Sequence, residues 1–107
     1  MSDEQSEVKV FETRRFEKAL GKLPEAQLKV VEDEIENIIE DPEIGELKKG
    51  DLSHLRVHKF KMNKNQVLLG YSWFEEKLEL YLLQIGPHEN FYQKQKTQRK
   101  ADLKLMK

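Results

Sequence analysis

The sequence predicts one small α+β domain. We expect a four-stranded antiparallel sheet, an N-terminal strand plus a three-strand meander, packed by two N-terminal helices and followed by a short C-terminal helix. Two patterns predict this class. Apolar residues recur at helical spacing between residues 13 and 40, whereas three segments rich in β-formers occupy residues 55–85. A chain of 107 residues has the usual length of one domain and can bury a core without disulfides.

The first half of the chain supplies one strand and two helices. Residues 1–7 are polar and charged and are predicted to be disordered, while the alternating residues 8–11 predict a strand. Thr13 is a suitable N-cap for the first helix, and Pro24 suits the first position of the second. The second helix is predicted to end at Glu40, because the Asp-Pro pair that follows disfavours helical geometry.

The second half supplies the meander. Strands are predicted over residues 55–62, 67–74 and 78–85, each separated from the next by a short polar turn. A short helix is predicted to begin near Asn90 and to give way to a basic tail. The element order is therefore β-α-α-β-β-β-α, and residues 8–107 are predicted to form a single domain.

Composition excludes several classes of protein. The chain has no cysteine, so neither a disulfide framework nor a thiolate metal site is expected. Its first residues are acidic and polar, unlike a secretory signal peptide. The apolar runs are too short to cross a bilayer. Together these features predict a cytoplasmic protein that does not insert into membranes.

The charge is unevenly distributed along the chain. The formal net charge is −1, but residues 1–50 hold eight basic and fourteen acidic residues, and residues 51–107 hold eleven basic and six acidic residues. A basic half on a near-neutral protein is consistent with one face that meets an anionic partner. The same pattern also arises when opposite charges simply keep a surface soluble.

Four acidic side chains follow one face of the second predicted helix. Hard cations need oxygen ligands that converge from several directions, and no histidine or cysteine accompanies these carboxylates. We interpret the face as solvated and predict no metal site. The four residues are Glu32, Asp33, Glu36 and Glu40.

A histidine and a tyrosine follow the last predicted strand. His88 comes directly after the Gly86-Pro87 pair that ends the strand, and Tyr92 lies four residues later. If a helix begins at this point, the two side chains share one face. The pair then places a proton-transfer group beside a phenol at the end of a sheet. Taken alone, a single histidine is weak evidence for a site, and such a residue more often caps a helix or hydrogen-bonds a loop carbonyl.

The only other stretch with comparable chemistry is the basic strand at residues 56–61. Arg56 and His58 point to one face of a regular strand, whereas Lys59 and Lys61 point to the other. All four serve one site only if a bulge intervenes. The two lysines are also consistent with charges that protect a strand edge.

The element order, together with residues 50–62 and 85–92, resembles the RelE/ParE superfamily of toxins from type II toxin–antitoxin modules, in its RelE/HigB-like form. The likeness covers residues 8–100. It implies a compact fold of the microbial ribonuclease kind, a cognate antitoxin as partner and no cofactor. Many such toxins cut mRNA in the ribosomal A site, whereas ParE-type relatives inhibit DNA gyrase. We expect the free toxin to be monomeric.

The resemblance also implies roles for individual residues. His88 would act as acid or base, Tyr92 would stack on a base or orient the phosphate, and cationic side chains would hold the phosphate. The lysine pair on the basic strand resembles the paired lysines of catalytic relatives. The predicted catalytic residues are His88, Tyr92, Lys59, Lys61 and Arg56. The predicted RNA-binding residues are His58, Lys64, Lys94, Lys96, Arg99 and Lys100.

Two departures from the family pattern keep other functions open. Ribosome-acting relatives are usually clearly basic, and they often carry an arginine on the strand that corresponds to residues 67–74, where this chain has no basic residue. The favoured function is a ribosome-dependent mRNA endoribonuclease, because an inhibitor needs no proton-transfer group such as His88. The alternatives are a gyrase-inhibiting toxin and a module that binds only its antitoxin.

Overall fold

The computed structural model describes residues 8–106. The predicted disorder of residues 1–7 lies outside this range. The described chain contains three helices and five strands. The helices are α1 (Arg14–Gly21), α2 (Glu25–Glu40) and α3 (Phe91–Leu105). The strands are β1 (Lys9–Glu12), β2 (Glu46–Leu47), β3 (Arg56–Met62), β4 (Asn65–Phe74) and β5 (Glu79–Gly86), with one 3₁₀ turn at Gly50–Leu52.

The strands form one mixed sheet in the order β1-β5-β4-β3-β2. The predicted meander is present, because β3, β4 and β5 pair antiparallel in sequence order. The predicted sheet was wrong in two details. Strand β1 pairs parallel with β5, and the two-residue β2 adds a fifth strand beside β3. The predicted α+β architecture is otherwise confirmed.

The direction of β1 follows from the turn after it. Thr13 N donates to Leu82 O at 3.1 Å and its hydroxyl donates to Leu83 O at 2.8 Å, which fixes β1 beside β5. The same hydroxyl accepts from Phe16 N at 3.1 Å and so caps α1, as predicted. One side chain therefore ends the strand, attaches it to β5 and starts the helix.

The two helices α1 and α2 cover one face of the sheet. Their buried residues Phe16, Val31 and Ile38 pack with Leu69 and Leu82 of the central strands, together with neighbouring apolar side chains. This layer matches the predicted apolar stripes. No helix within residues 8–106 is long and apolar enough to span a bilayer.

The hairpin between β3 and β4 has the turn geometry that its sequence predicts. Asn63 and Lys64 both adopt positive φ angles, 55° and 68°, which is the conformation of a two-residue hairpin turn that follows the twist of the strands. The next turn is longer than predicted. Leu78 adopts a φ of 53° and belongs to the turn, so β5 begins one residue later than its alternating leucines predict.

Helix α3 covers part of the opposite face of the sheet. The predicted short helix and basic tail were wrong, because one helix of 15 residues runs through the whole segment. Phe91 packs with Leu55, Val57, Leu68 and Leu83 in a second apolar cluster. The other residues that α3 buries are polar, namely Gln95 and Asp102.

A polar network joins α3 to α1 and to the sheet. Both Nη atoms of Arg15, on α1, donate hydrogen bonds to the Asp102 carboxylate. Nη1 donates to Oδ1 at 3.0 Å and Nη2 donates to Oδ2 at 2.8 Å. Its Nη2 also donates to Gln95 Oε1 at 3.2 Å, and Gln84 Nε2 donates to Phe91 O at 3.1 Å. Such fork-to-fork pairing fixes both distance and orientation. Arg15 therefore sets the position of α3 on the sheet.

The loop between α2 and β2 is held by Tyr71 of β4. The Tyr71 hydroxyl donates to Pro42 O at 2.8 Å and accepts from Gly45 N at 2.9 Å. Burial raises the pKa of this phenol, so it stays protonated and able to donate. A Cβ atom at Gly45 would lie 2.8 Å from the Tyr71 hydroxyl oxygen.

We expect Gly45→Ala to lower the free energy of unfolding by about 1–3 kcal/mol, the usual cost of overpacking a rigid site. Tyr71 is fully buried and cannot move aside without losing its hydrogen bonds. The measurement is urea unfolding. Gly21→Ala is the control, because nothing lies within 4 Å of its added Cβ and a gain of about 0.4–1 kcal/mol is expected. Equal stability of the Gly45→Ala variant and the wild type would contradict this account of the loop.

Candidate functional site

The loop from β5 to α3 brings His88 and Tyr92 together. Their ring centroids lie 5.7 Å apart with an angle of 73° between the ring planes. The contact does not arise from a shared helical turn, because α3 begins only at Phe91 and Asn90 adopts a φ of 63°. His88 O accepts from Phe91 N at 3.1 Å, which closes the turn and fixes the histidine beside the first turn of α3.

Lys48 joins this pair and was not predicted. Its Nζ lies 5.2 Å from the centroid of the Tyr92 ring and 3.0 Å from Glu46 Oε1. Its side chain is only 22% exposed. Burial acts to lower the pKa of Lys48, but Glu46 and Tyr92 outweigh burial, so the pKa is raised and the ammonium stays charged. The sequence signal was weak, since Lys48 lies in a loop that predicts no side-chain direction.

Lys59 and Lys61 lie on the same face of the sheet as α3. On β3 they alternate with Phe60, which packs against the α2 layer, while Val57 packs against the α3 layer. The alternation predicted for this strand is therefore present. Both lysines are exposed, so their ammonium groups are available to a ligand.

The strand register relates Lys59 to the His88 loop. Lys59 pairs with Leu68, and Leu68 pairs with Gly86, two residues before His88. Adjacent strands lie about 4.8 Å apart, so Lys59 and Gly86 are separated by roughly 10 Å. The Lys48 ammonium lowers the pKa of Glu46, with smaller contributions from Lys59 and Lys49. Both Lys48 and Lys59 therefore stabilise the charged form of the Glu46 carboxylate.

Arg56 and His58 lie on the opposite face of the sheet and are engaged there. Arg56 Nη1 donates to Gly45 O at 2.9 Å and to Glu43 O at 3.4 Å. His58 Nε2 lies 2.7 Å from Glu34 Oε1 of α2. The structure does not bring either side chain to His88, and both have partners that explain them without a ligand.

The remaining predicted RNA-binding residues lie in two places. Lys94, Lys96, Arg99 and Lys100 all lie on α3, and Lys64 lies at the exposed tip of the β3–β4 hairpin. Lys94 borders a cavity of about 210 Å³ that Gly86 and Pro87 also line. Arg99 donates to Asp51 O at 2.6 Å and fastens α3 to the 3₁₀ turn. Within residues 8–106, no three His, Asp or Glu side chains converge in a metal-binding geometry.

The candidate site comprises one histidine, one phenol and one lysine that lie together, with the two lysines of β3 exposed on the same face of the sheet. We call it the lysine–histidine cluster; its members are Lys48, Lys59, Lys61, His88 and Tyr92. A mobile proton beside several fixed positive charges suits the cleavage or binding of a phosphodiester.

A family model described as a ParE-like toxin of type II bacterial toxin–antitoxin systems matches residues 10–96. This range includes β1 from its second residue, the other four strands, α1, α2 and the cluster. The chain belongs to the ParE-like toxin family. It is a toxin of the RelE/ParE type, which confirms the resemblance seen in the sequence. No curated protein sequence matches the chain.

Solved structures of RelE toxins share the fold of this toxin. A chain of the intact Escherichia coli RelBE toxin–antitoxin complex aligns with a TM-score of 0.62 and 20% identity, over 77% of this chain and 98% of that chain. The isolated E. coli RelE toxin aligns with a TM-score of 0.60 and 17% identity, over 87% and 98%. The archaeal RelE–RelB complex from Pyrococcus horikoshii OT3 gives 0.51 and 16%, over 77% and 96%. At these identities the likeness establishes the fold.

Proposed function

We propose that this toxin is a ribosome-dependent endoribonuclease that cuts mRNA by attack of the substrate's own 2′-hydroxyl on the scissile phosphate. The observation that carries the proposal is the contact between His88 and Tyr92, with the Lys48 ammonium 5.2 Å from the centroid of the same Tyr92 ring. A proton-transfer group and a partly buried cation beside one phenol suit phosphoryl transfer. A protein that only binds its target needs no such arrangement.

Each member of the cluster has a role that fits its geometry. His88 is exposed at the end of β5 and exchanges a proton with the 2′-hydroxyl or with the 5′-leaving oxygen. Lys59 and Lys61 neutralise the charge that develops on the phosphate. Lys48 holds the Tyr92 ring through a cation–π contact, so that the phenol can stack on a base or orient the phosphate.

The proposed partners are the ribosome with its mRNA and a cognate antitoxin. RelE of E. coli and RelE of P. horikoshii have both been solved in complexes with RelB. Their fold is the fold of this chain, which supports an antitoxin of comparable type here. The phosphate-binding lysines and the basic side chains of α3 would contact the RNA.

Inhibition of DNA gyrase is the second candidate. Two observations favour it: the matching family model is named for ParE, and the net charge of −1 is low for a protein that enters the ribosome. Gyrase inhibition makes no use of proton transfer. The two candidates therefore differ in whether His88 matters.

The deciding experiment is a reconstituted translation reaction followed by primer extension on the mRNA, run beside a gyrase supercoiling assay with the same protein. Cleavage within the A-site codon, with supercoiling unaffected, is the expected result. Inhibition of supercoiling with intact mRNA would contradict the endoribonuclease proposal and support gyrase inhibition.

The lysine pair provides a second test. Replacing Lys59 and Lys61 together by alanine is expected to slow mRNA cleavage by at least about 10²-fold, because one preorganised stabilising group is commonly worth that much. Lys18→Ala with Lys22→Ala is the matched control, since both lysines are exposed, one on α1 and the other at its C-cap, and carry the same charge. If the control slows cleavage as much, the effect is one of net charge, and the phosphate-binding role of Lys59 and Lys61 is refuted.

A further inference from the structure

A large cleft opens at the end of the sheet that lies away from His88. It has a volume of about 840 Å³ and lies between the end of β4, the loop before β3 and the loop before β2. We call it the β4 notch. The residues that line it include Glu43, Arg56, Trp73, Phe74, Glu75 and Glu76.

The notch exists because β4 is longer than β3. The pairing of the two strands ends at Arg56 with Tyr71, and before Arg56 the chain passes into the 3₁₀ turn, with the Ser72 hydroxyl of β4 donating to His54 O. In the described part of the chain, the register pairs Trp73 and Phe74 only with β5, to Leu80 and Glu79. Their other side therefore offers a short strand edge to an incoming extended segment.

The charge of the notch is negative. Glu43, Glu75 and Glu76 line it and are exposed. Arg56 is the one arginine that lines it, and its Nη1 already donates to two loop carbonyls. Burial lowers the pKa of the neighbouring His54, so this histidine adds no positive charge near neutral pH. One further cation lies beside the notch, since Lys77 Nζ is 5.9 Å from the centroid of the Phe74 ring. Three carboxylates against this ammonium and one engaged guanidinium leave the notch acidic, which disfavours RNA and favours a cationic ligand.

The walls of the notch are aromatic. Trp73 and Phe74 are half-buried, and because they are successive strand residues they present their rings to opposite faces of the sheet. Aromatic side chains with a polar rim are typical of sites where protein interfaces gain most of their affinity. Arginine and lysine side chains pack favourably against such rings.

We propose that the β4 notch docks an extended, lysine- or arginine-bearing segment of the antitoxin, which adds a strand beside Trp73 and Phe74 and places its cations against Glu75 and Glu76. The proposal rests on the antitoxin partner given under Proposed function, and not on the reaction. It separates two surfaces of the toxin: a cationic face for RNA and an acidic notch for the protein partner.

The probe is a synthetic hexapeptide of alternating lysine and valine, titrated into the full-length toxin. Trp73 is the only tryptophan of the chain, so its fluorescence reports on the notch directly, and ¹⁵N chemical shifts locate the binding site. We expect saturable binding that weakens with salt, with shifts concentrated at residues 72–76. A hexapeptide of alternating glutamate and valine, and a short RNA oligonucleotide, are expected to leave Trp73 unchanged.

The matched variants are Glu75→Gln with Glu76→Gln in the notch, and Glu32→Gln with Glu36→Gln on the exposed face of α2. The notch variant loses two charge pairs with the peptide, so its affinity for the peptide is expected to fall about tenfold. The α2 variant is expected to bind the peptide with the wild-type affinity. Thermal unfolding checks that both variants are folded. Equal weakening by both variants, binding of the acidic peptide, or absence of binding would overturn the proposal.

Two further outcomes keep the proposals separate. If sedimentation shows a dimer of the toxin alone that the notch variant dissociates, the occupant is a second copy of the chain and the antitoxin proposal falls. If the wild type binds the peptide at the notch but cuts no mRNA, the docking proposal stands and the endoribonuclease falls. The notch variant is expected to cut mRNA at the wild-type rate.

Discussion

Replacing His88 by glutamine is expected to slow A-site mRNA cleavage by about 10²–10⁴-fold, the usual contribution of a positioned acid or base. Glutamine keeps the size and hydrogen-bonding ability of the side chain but cannot exchange a proton at neutral pH. The turn before α3 uses the backbone carbonyl of His88, so the substitution is expected to leave the fold unchanged.

The measurement is the single-turnover cleavage rate on programmed ribosomes, read by primer extension. Glu89→Gln is a suitable control, because Glu89 is the exposed neighbour of His88 and has no part in the cluster. Cleavage by His88→Gln at the wild-type rate would keep the nuclease and remove His88 from its chemistry. If neither the wild type nor the variant cleaves mRNA, the endoribonuclease proposal is contradicted and gyrase inhibition is tested next.

Replacing Asp102 by alanine is expected to lower the free energy of unfolding by about 2–3 kcal/mol. Breaking a buried ion pair usually costs about 3–5 kcal/mol, because the remaining charge loses its partner. The lower figure applies because Arg15 is 27% exposed and keeps contact with water, although Asp102 is only 2% exposed. The loss is expected to concentrate in α3, where the network attaches.

Urea unfolding measures the global loss, and hydrogen exchange shows whether the amides of α3 lose protection first. The double variant Arg15→Met with Asp102→Leu is the companion, since apolar residues of similar size often replace a buried ion pair without loss of stability. If Asp102→Ala is as stable as the wild type, the pair does not hold α3. If the double variant has no higher free energy of unfolding than Asp102→Ala, the Arg15–Asp102 pair contributes through packing and not through charge.

Locally encoded features were predictable from the sequence. The stripe of α2, the cap at Thr13 and the alternation of Lys59 with Phe60 depend on residues within a few positions of each other. Helical and strand periodicities express these short-range rules directly. The nearness of His88 to Tyr92 was also predictable from their spacing, although the contact forms through a loop.

Features that depend on distant residues were not predictable. Helix α3 buries Gln95 and Asp102 beside Phe91, so its inner face lacks an apolar stripe and resembles a solvated tail until Arg15 is placed opposite. The parallel direction of β1 depends on a contact between Thr13 and Leu83. Lys48 reaches Tyr92 only because β2 folds back beside β3. In each of these contacts the two residues lie far apart in the sequence.

The pairing of β1 with β5 has a consequence for synthesis of the toxin. Thr13 reaches its partner Leu83 only 70 residues later. At about 5–20 residues per second on the ribosome, this interval lasts roughly 4–14 s. During it β1 lacks its neighbour β5, and the apolar faces of α1 and α2 have at most the β3–β4 hairpin to cover. The nascent toxin is therefore exposed to proteases and chaperones until β5 emerges. Since Tyr92 follows on α3, a chain released after β5 but before that helix has all five strands and lacks part of the cluster, and under the proposed function we expect such a truncated product not to cut mRNA.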